Sequence, residues 1–348
     1  MQVAVQPFTV HKRFALTISR GTTAKTTNIW VRLSQDGIEG WGEASPFSIV
    51  GKECKSTDDL LRELKQITPK LEKYPPWDGQ VIEEVLRESQ TSSAVQASID
   101  MARHDWVGKR TGLSLWRLWG LDCRRIVATS LTVGISTPEE AKQRVRDWQQ
   151  LIGAPRLKVK LGNREGIAAD QAMLKAVREV APIAELYVDA NGGWNLEEAA
   201  VMCNCLAGLG VKYVEQPLAV GEEEHLAELS TRSPLPIFAD ESCWTSRDIP
   251  QLAHSVHGIN IKIMKAGGLT EAMRMVHTAK AWGLQVMYGC YSDSTLANTA
   301  MTQLSPLADY LDLDSHLNLV DDPFTGAVLG SGRLLPTELP GLGVEFSR

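Results

Sequence analysis

Three short stretches of this sequence each end an apolar run on a carboxylate: LYVDAN at Asp189, KYVEQP at Glu215 and PIFADES at Asp240. Lysine-bearing runs flank them, RLKVKL with Lys158 and Lys160 before and GINIKIMK with Lys262 and Lys265 after. A single aspartate after a strand is ordinarily a helix N-cap, and a single lysine a solvated surface group. The ordered set asks for more. If these ends converge, three carboxylates with no imidazole or thiolate partner suit one hard divalent cation, Mg²⁺ or Mn²⁺ in its place, rather than Zn²⁺. Strand alternation sends Lys158 and Lys160 to one side and Val159 to the other. Paired ammonium groups near a metal lower each other's pKa, and a lysine tuned toward roughly 7–8 serves as a general base at neutral pH. With Lys262 arriving from the opposite side, two bases face one carbon. That arrangement suits removal of a proton next to a carboxylate and stabilisation of the enediolate that follows.

The elements that must position these groups are legible in outline. From about residue 127, short apolar runs recur every ~20–30 residues, each followed by a helical stretch: SLTVG, RLKVKL, LYVDA, KYVEQP, PIFADES, GINIKIMK, LQVMYGC and DYLDLD. Eight near-continuously apolar strands alternating with helices predict parallel βα units closed into a barrel, with the chemistry at the C-terminal strand ends. A doubly wound open sheet competes less well, because no Gly-rich phosphate turn follows an early strand. The first third reads differently. Residues 2–10 and 28–34 alternate like strands, Asp36-Gly37 marks a turn before IEGWGEA, and residues 57–71 and about 91–110 have helical spacing. This predicts an α+β module over residues 1–122, completed by a Gly- and Pro-rich segment at about 320–348, and a barrel over residues 123–319.

Composition excludes several classes. The 348-residue chain has a formal net charge of −6, without the basic excess of a nucleic-acid binder. No apolar run approaches the ~20 residues that cross a bilayer, so no membrane association is expected. The N-terminal MQVAVQPFTVHKRF lacks the pattern of a secretory signal, and six scattered cysteines show no disulfide spacing, so a cytoplasmic location is the expectation. Cys203 and Cys205 form a CxC without the second pair that a thiolate metal site requires.

The ordered set KVK, VDAN, VEQP, ADES and NIKIMKAGG resembles the enolase superfamily, specifically the muconate-lactonizing branch. The resemblance runs over essentially the whole chain, including WGEASP and SIDMARHDWVGKRTGLSLWRLWG. It implies an α/β fold: a modified TIM barrel, (β/α)7β, with an α+β capping domain. It also implies that Asp189, Glu215 and Asp240 bind one Mg²⁺ per active site, and that Lys160 and Lys262 are the acid/base pair. Lys158 then supports the substrate carboxylate, and Lys265 is the second lysine of a motif whose catalytic member is the first. Homo-oligomers are common in this family.

Superfamily members differ in outcome, so the site must discriminate among them. The seventh run ends MYGC, without a histidine base, and His254, His257 and His277 fall where surface or packing roles are expected. The eighth carries Asp312 and Asp314, two apart and therefore on one side of a strand, where two carboxylates clamp a substrate ammonium group. This DxD is similar to that of dipeptide epimerases, including the L-Ala-D/L-Glu type. The implied reaction inverts the α-carbon of a dipeptide's C-terminal residue by 1,1-proton transfer between two lysines. On the same resemblance Thr132 and Cys290 contact the dipeptide backbone, and loops near residues 14–25 and 47–54 set side-chain preference. Arg20 lies within about one residue of the position where Ala-Glu epimerases carry an arginine for the glutamate side chain, whereas an inward Asp293 favours a cationic one. The alternative is an o-succinylbenzoate synthase or muconate-type cycloisomerase of the same branch, which needs no ammonium clamp.

Overall fold

The computed structural model describes residues 1–49, 53–153 and 155–347. Its largest sheet has eight parallel strands in chain order: Leu131–Val133, Arg156–Lys160, Glu185–Asp189, Val211–Glu215, Ile237–Ala239, Gly258–Lys262, Gln285–Gly289 and Tyr310–Asp312. A bridge between Thr129 and Leu311, and the Ser130 N–H donated to the Leu311 carbonyl at 2.9 Å, join the last strand to the segment entering the first. α-Helices follow the first seven of these strands, which makes the barrel (β/α)7β. All eight predicted runs became barrel strands.

Period-2 alternation layers the barrel interior. Tyr187, Tyr213, Phe238, Met287 and Tyr310 lie two positions before Asp189, Glu215, Asp240, Gly289 and Asp312 and pack as one cluster separate from the main core. Tyr213 stacks on Tyr187 at 4.8 Å between ring centroids and meets Phe238 at 4.7 Å. One layer above them stand Asp189, Glu215, Gly289 and Asp312 at the ends of their strands and Asp240 just past the end of its own. This ring layer was not anticipated, although the same alternation that paired Lys158 with Lys160 encodes it.

The remaining module is a three-stranded antiparallel sheet, Gln2–Ile18, Gly21–Gln35 and Ile38–Ala44, backed by helix Ser93–Thr111. Gly40 and Gly42 allow that helix to lie close: a Cβ on either would sit 2.0 Å from the carbonyl oxygen of Ala102 or Ser98. Helix Thr57–Leu71 has a capping box from Ser56 and Asp59, and a further helix, Gly79–Glu88, was not read from the sequence. Residues 324–325 pair with 345–346, and Phe346 stacks on Trp41 at 5.2 Å, so the C-terminal segment packs on the first sheet.

The first two strands are longer than predicted. They run on to Ile18 and from Gly21, pairing Thr17 with Thr22 and Ile18 with Gly21, so the expected loop at 14–25 is a hairpin with Ser19 and Arg20 at its tip. Residues 50–52 of the other expected specificity loop lie outside the described residues. No helix among the described residues is long and apolar enough to cross a membrane.

Candidate active site

Neighbouring barrel strands bring Asp189, Glu215 and Asp240 together. Each is essentially buried, and one oxygen from each lies within 4.8 Å of the others. Three buried oxygens of like charge at that spacing form a donor set for a hard divalent cation. The charges register the crowding. Burial and the neighbouring Asp189 push Glu215 up to about 8. Burial pulls Asp189 upward too, but Lys160, Lys158 and Lys262 outweigh it and hold it near 2.

Four lysines surround the triad. Lys160 Nζ lies 2.6 Å from Asp189 Oδ2, and Lys262 Nζ lies 2.5 Å from Asp240 Oδ2. Both line one cleft of about 340 Å³ above the barrel, reaching it from the second and sixth strands. Lys262 also lies over the Tyr291 ring, 4.6 Å from its centroid. Lys265 is different: fully buried, it donates to both Asp240 Oδ1, at 2.7 Å, and the Asn260 carbonyl, at 3.0 Å. Of the two motif lysines, the first therefore faces the cleft and the second holds Asp240 from behind.

Lys158 has no exposed surface, and its ammonium lies 2.6 Å from Glu215 Oε2 and 2.7 Å from Asp312 Oδ2. Its contact with Glu215 is close but not aligned as a hydrogen bond, whereas the one to Asp312 is. Burial alone would lower this ammonium's pKa, yet Asp312, Glu215 and Asp189 raise it well above the usual lysine value. For Lys158 these carboxylates thus reverse the depression expected from a second lysine. Burial likewise pulls Lys262 down while Asp240 raises it further.

Asp312 ends the eighth strand, but Asp314 lies beyond it, at the start of a 3₁₀ turn over Ser315–Asn318. Strand alternation thus does not aim Asp314, as the sequence reading assumed. The backbone N–H of Thr132 does, donating to Asp314 Oδ2 at 2.6 Å. Both aspartates nonetheless line one slot with Thr132, Lys160 and Cys290, and this slot adjoins the lysine cleft, sharing Leu16, Lys160, Cys290 and Tyr291 with it. Burial and the charge of Asp312 push Asp314 up to about 6. The Cys290 thiol, pushed up to about 12 by burial, donates to the Asp312 carbonyl at 3.2 Å and stays protonated.

The two residues expected to select side-chain charge each have a partner within the protein, and Arg20 also lines the lysine cleft. Arg20 Nη1 donates to Glu241 Oε1 at 2.8 Å, and the buried Asp293 accepts the Tyr291 N–H at 3.1 Å within its own loop.

Several supporting residues escaped the sequence reading. Asn260 donates to Glu215 Oε1 at 2.8 Å. Gln216 accepts the backbone N–H of Asp240 at 2.9 Å and of Ser242 at 3.2 Å, fixing the fifth-strand loop. Ser130 donates to Asp312 at 2.7 Å. Asn260 had a readable signal, since it precedes Lys262 by two on one strand. Gln216 and Ser130 carried none beyond adjacency.

Comparison with known proteins agrees with this geometry. Residues 2–120 match the family described as mandelate racemase / muconate lactonizing enzyme, N-terminal domain, and residues 138–348 match the family described as enolase C-terminal domain-like. The chain is 42% identical over 350 residues to a hydrophobic dipeptide epimerase of Roseobacter litoralis, covering 100% of this chain and 99% of that one. It is 33% identical to an L-Ala-D/L-Glu epimerase of Bacteroides thetaiotaomicron, covering 99% and 88%. Among solved structures, the dipeptide epimerase of Enterococcus faecalis V583, complexed with Mg and L-Leu-L-Tyr, superposes with a TM-score of 0.90 at 31% identity, covering 99% and 98%.

Proposed function

The chain belongs to the mandelate racemase / muconate lactonizing enzyme family of the enolase superfamily, and from that membership we propose that it is a Mg²⁺-dependent dipeptide epimerase. The observation that carries this reading is a pair of adjoining cavities that share Leu16, Lys160, Cys290 and Tyr291, one lined by Lys160 and Lys262 and the other by Asp312 and Asp314. A dipeptide has a carboxylate and an acidic α-hydrogen at one terminus and an ammonium group at the other, which is the same order of chemistry. The Roseobacter and Bacteroides relatives, both named as epimerases, support it.

Asp189, Glu215 and Asp240 would hold the cation, which supplies Lewis-acid stabilisation of charge developing beside the substrate carboxylate. Lys160 and Lys262 approach the α-carbon of the C-terminal residue from opposite strands. One removes the proton and the other delivers one to the opposite face, so configuration inverts without net change of mass. Asp314, aimed by the Thr132 N–H, accepts the substrate ammonium together with Asp312. Lys158 bridges Glu215 and Asp312, and so ties the cation end of the site to the ammonium end. Lys265 and Asn260 keep Asp240 and Glu215 from turning away.

The test is incubation with Mg²⁺ and a dipeptide library in D₂O, read by mass spectrometry and chiral separation. Incorporation of one deuterium at the C-terminal α-carbon, with formation of the epimer, is the expected result. No exchange with any dipeptide, alongside turnover of a succinyl-cyclohexadiene acid, would assign the site to a lyase instead.

A further inference from the structure

We propose that Tyr291 is a positioning residue for Lys262: one face of its ring is backed by Phe47, and the other holds the lysine ammonium at the cleft when the carboxylate triad takes up a cation. The part that concerns substrate rests on the dipeptide reading above; the stack itself does not.

Lys262 is only 4% exposed, so its ammonium depends on what the protein places around it. Asp240 Oδ2 lies 2.5 Å away, and the centroid of the Tyr291 ring 4.6 Å, inside the roughly 6 Å over which a ring face attracts a cation. Glu215 and Glu241 act on its charge from beyond ion-pair distance.

The two near partners differ in kind. Asp240 is one of the three carboxylates that meet within 4.8 Å as a donor set, and the charge it gives to a bound cation is withdrawn from Lys262. A ring face offers that cation no carboxylate oxygen to capture. It also has no carboxylate to compete for the lysine's proton, so it holds the ammonium by charge and leaves its N–H groups free. Among the described residues, no ring stands over Lys160 in this way, and the two lysines are therefore held differently.

The ring is itself fixed. Phe47 stacks on it at 4.5 Å between centroids, with 6° between the planes. Two groups at these distances cannot share one face, so Phe47 covers one and Lys262 the other. Trp244 packs on Phe47 at 5.6 Å, and its indole N–H donates to the Glu241 carbonyl at 2.9 Å, one residue beyond Asp240. The Tyr291 N–H donates to Asp293 Oδ2 at 3.1 Å and so anchors the loop after the seventh strand. The Tyr291 hydroxyl is buried without a hydrogen-bond partner among the described residues. The ring, and not the hydroxyl, is the part engaged.

Two measurements on the full-length protein compare the wild type with Tyr291→Phe and Tyr291→Leu. The first needs no substrate. Lysines are labelled with carbon-13 at Cε, and the Lys262 methylene resonance is identified by its loss in Lys262→Ala. The ring face should shift it upfield in the wild type and in Tyr291→Phe, with and without Mg²⁺, and Tyr291→Leu should return it to the ordinary lysine range. A wild-type resonance in that ordinary range, one that moves there when Mg²⁺ is added, or one that Tyr291→Leu leaves in place would overturn the stack. The second follows deuterium entry at the C-terminal α-carbon of saturating L-Ala-L-Leu and L-Ala-D-Leu with Mg²⁺ in D₂O. Lys262→Ala marks the epimer whose exchange depends on Lys262. Tyr291→Leu should slow that epimer by about tenfold and leave the other within about threefold, and Tyr291→Phe should restore the loss. No loss in Tyr291→Leu, equal losses on both epimers, or a loss in Tyr291→Phe as deep as in Tyr291→Leu would overturn positioning by the ring face. If the wild type exchanges neither epimer, the dipeptide reading fails for this pair, and the resonance alone decides the stack.

Discussion

Gly289 lies beside Lys262 in the parallel register of the sixth and seventh barrel strands, and a Cβ at that glycine would stand 3.0 Å from Lys262 Cε and 2.6 Å from the Asn260 amide nitrogen. The absent side chain at 289 is the space through which Lys262 reaches the cleft. Gly289→Ala should therefore displace Lys262 and Asn260 together. Misplacing a reacting group by about an ångström costs roughly 10²-fold in rate, so kcat on a dipeptide should fall by about that factor. Thermal unfolding would show a smaller penalty of about 1–3 kcal/mol for overpacking. A variant with unchanged kcat would mean that Lys262 does not depend on this gap.

The two lysines should fail in complementary ways. Lys160→Ala and Lys262→Ala should each lose inversion by about 10²–10⁴-fold. Each should still exchange the α-proton of one epimer in D₂O, and the two variants should differ in which epimer that is. Both variants exchanging both epimers at the wild-type rate would remove the two-base mechanism.

Asp314 gives a pH dependence with a definite sign. Burial and Asp312 raise its carboxyl to about 6, above the ordinary aspartate value. The folded protein thus binds this proton more tightly than the unfolded chain, and stability declines as pH rises from about 4 to about 6. Asp314→Asn keeps an acceptor for the Thr132 N–H but removes the charge. The variant should match the wild type in stability below about pH 4 and exceed it by up to about 3 kcal/mol above pH 6. Its activity on dipeptides should collapse. Denaturant melts across pH check the first, and turnover checks the second.

Cation binding should be visible without substrate. Asp189, Glu215 and Asp240 are held close and buried, and a divalent ion relieves their mutual repulsion. Mg²⁺ should raise the melting temperature in proportion to its occupancy, with about 2.7 kcal/mol gained at a hundredfold excess over Kd. Chelation should abolish turnover reversibly. Asp240→Asn should lose the thermal shift, and a full shift in that variant would place the ion elsewhere.

The barrel and the meeting of its three carboxylates were legible because both follow from alternation. A run such as LYVDAN states its strand, its buried faces and its terminal carboxylate in six letters, and the same rule separates Lys160 from Val159. What stayed hidden depends on contacts distant in sequence. Arg20 reads as a free cation until Glu241, 221 residues later, is seen beside it. Asp312 and Asp314 read as a strand pair, yet the second is aimed by a backbone N–H from the first barrel strand. The hairpin through Arg20 was read as a loop although Phe14, Leu16 and Ile18 alternate on its incoming arm, because the returning arm, Gly21–Lys25, is polar and exposed and offers no matching apolar phase.

The layer of aromatic rings under the carboxylates makes the cleft a blind well. Tyr187, Tyr213 and Phe238 are at most 2% exposed, so this layer seals the floor beneath the lysines. Under a two-base mechanism, return of an abstracted proton to the same face restores the starting epimer and competes with washout of that proton from the first lysine. The isotope content of recovered substrate, rather than of product, is then a clock for how often that lysine exchanges with solvent.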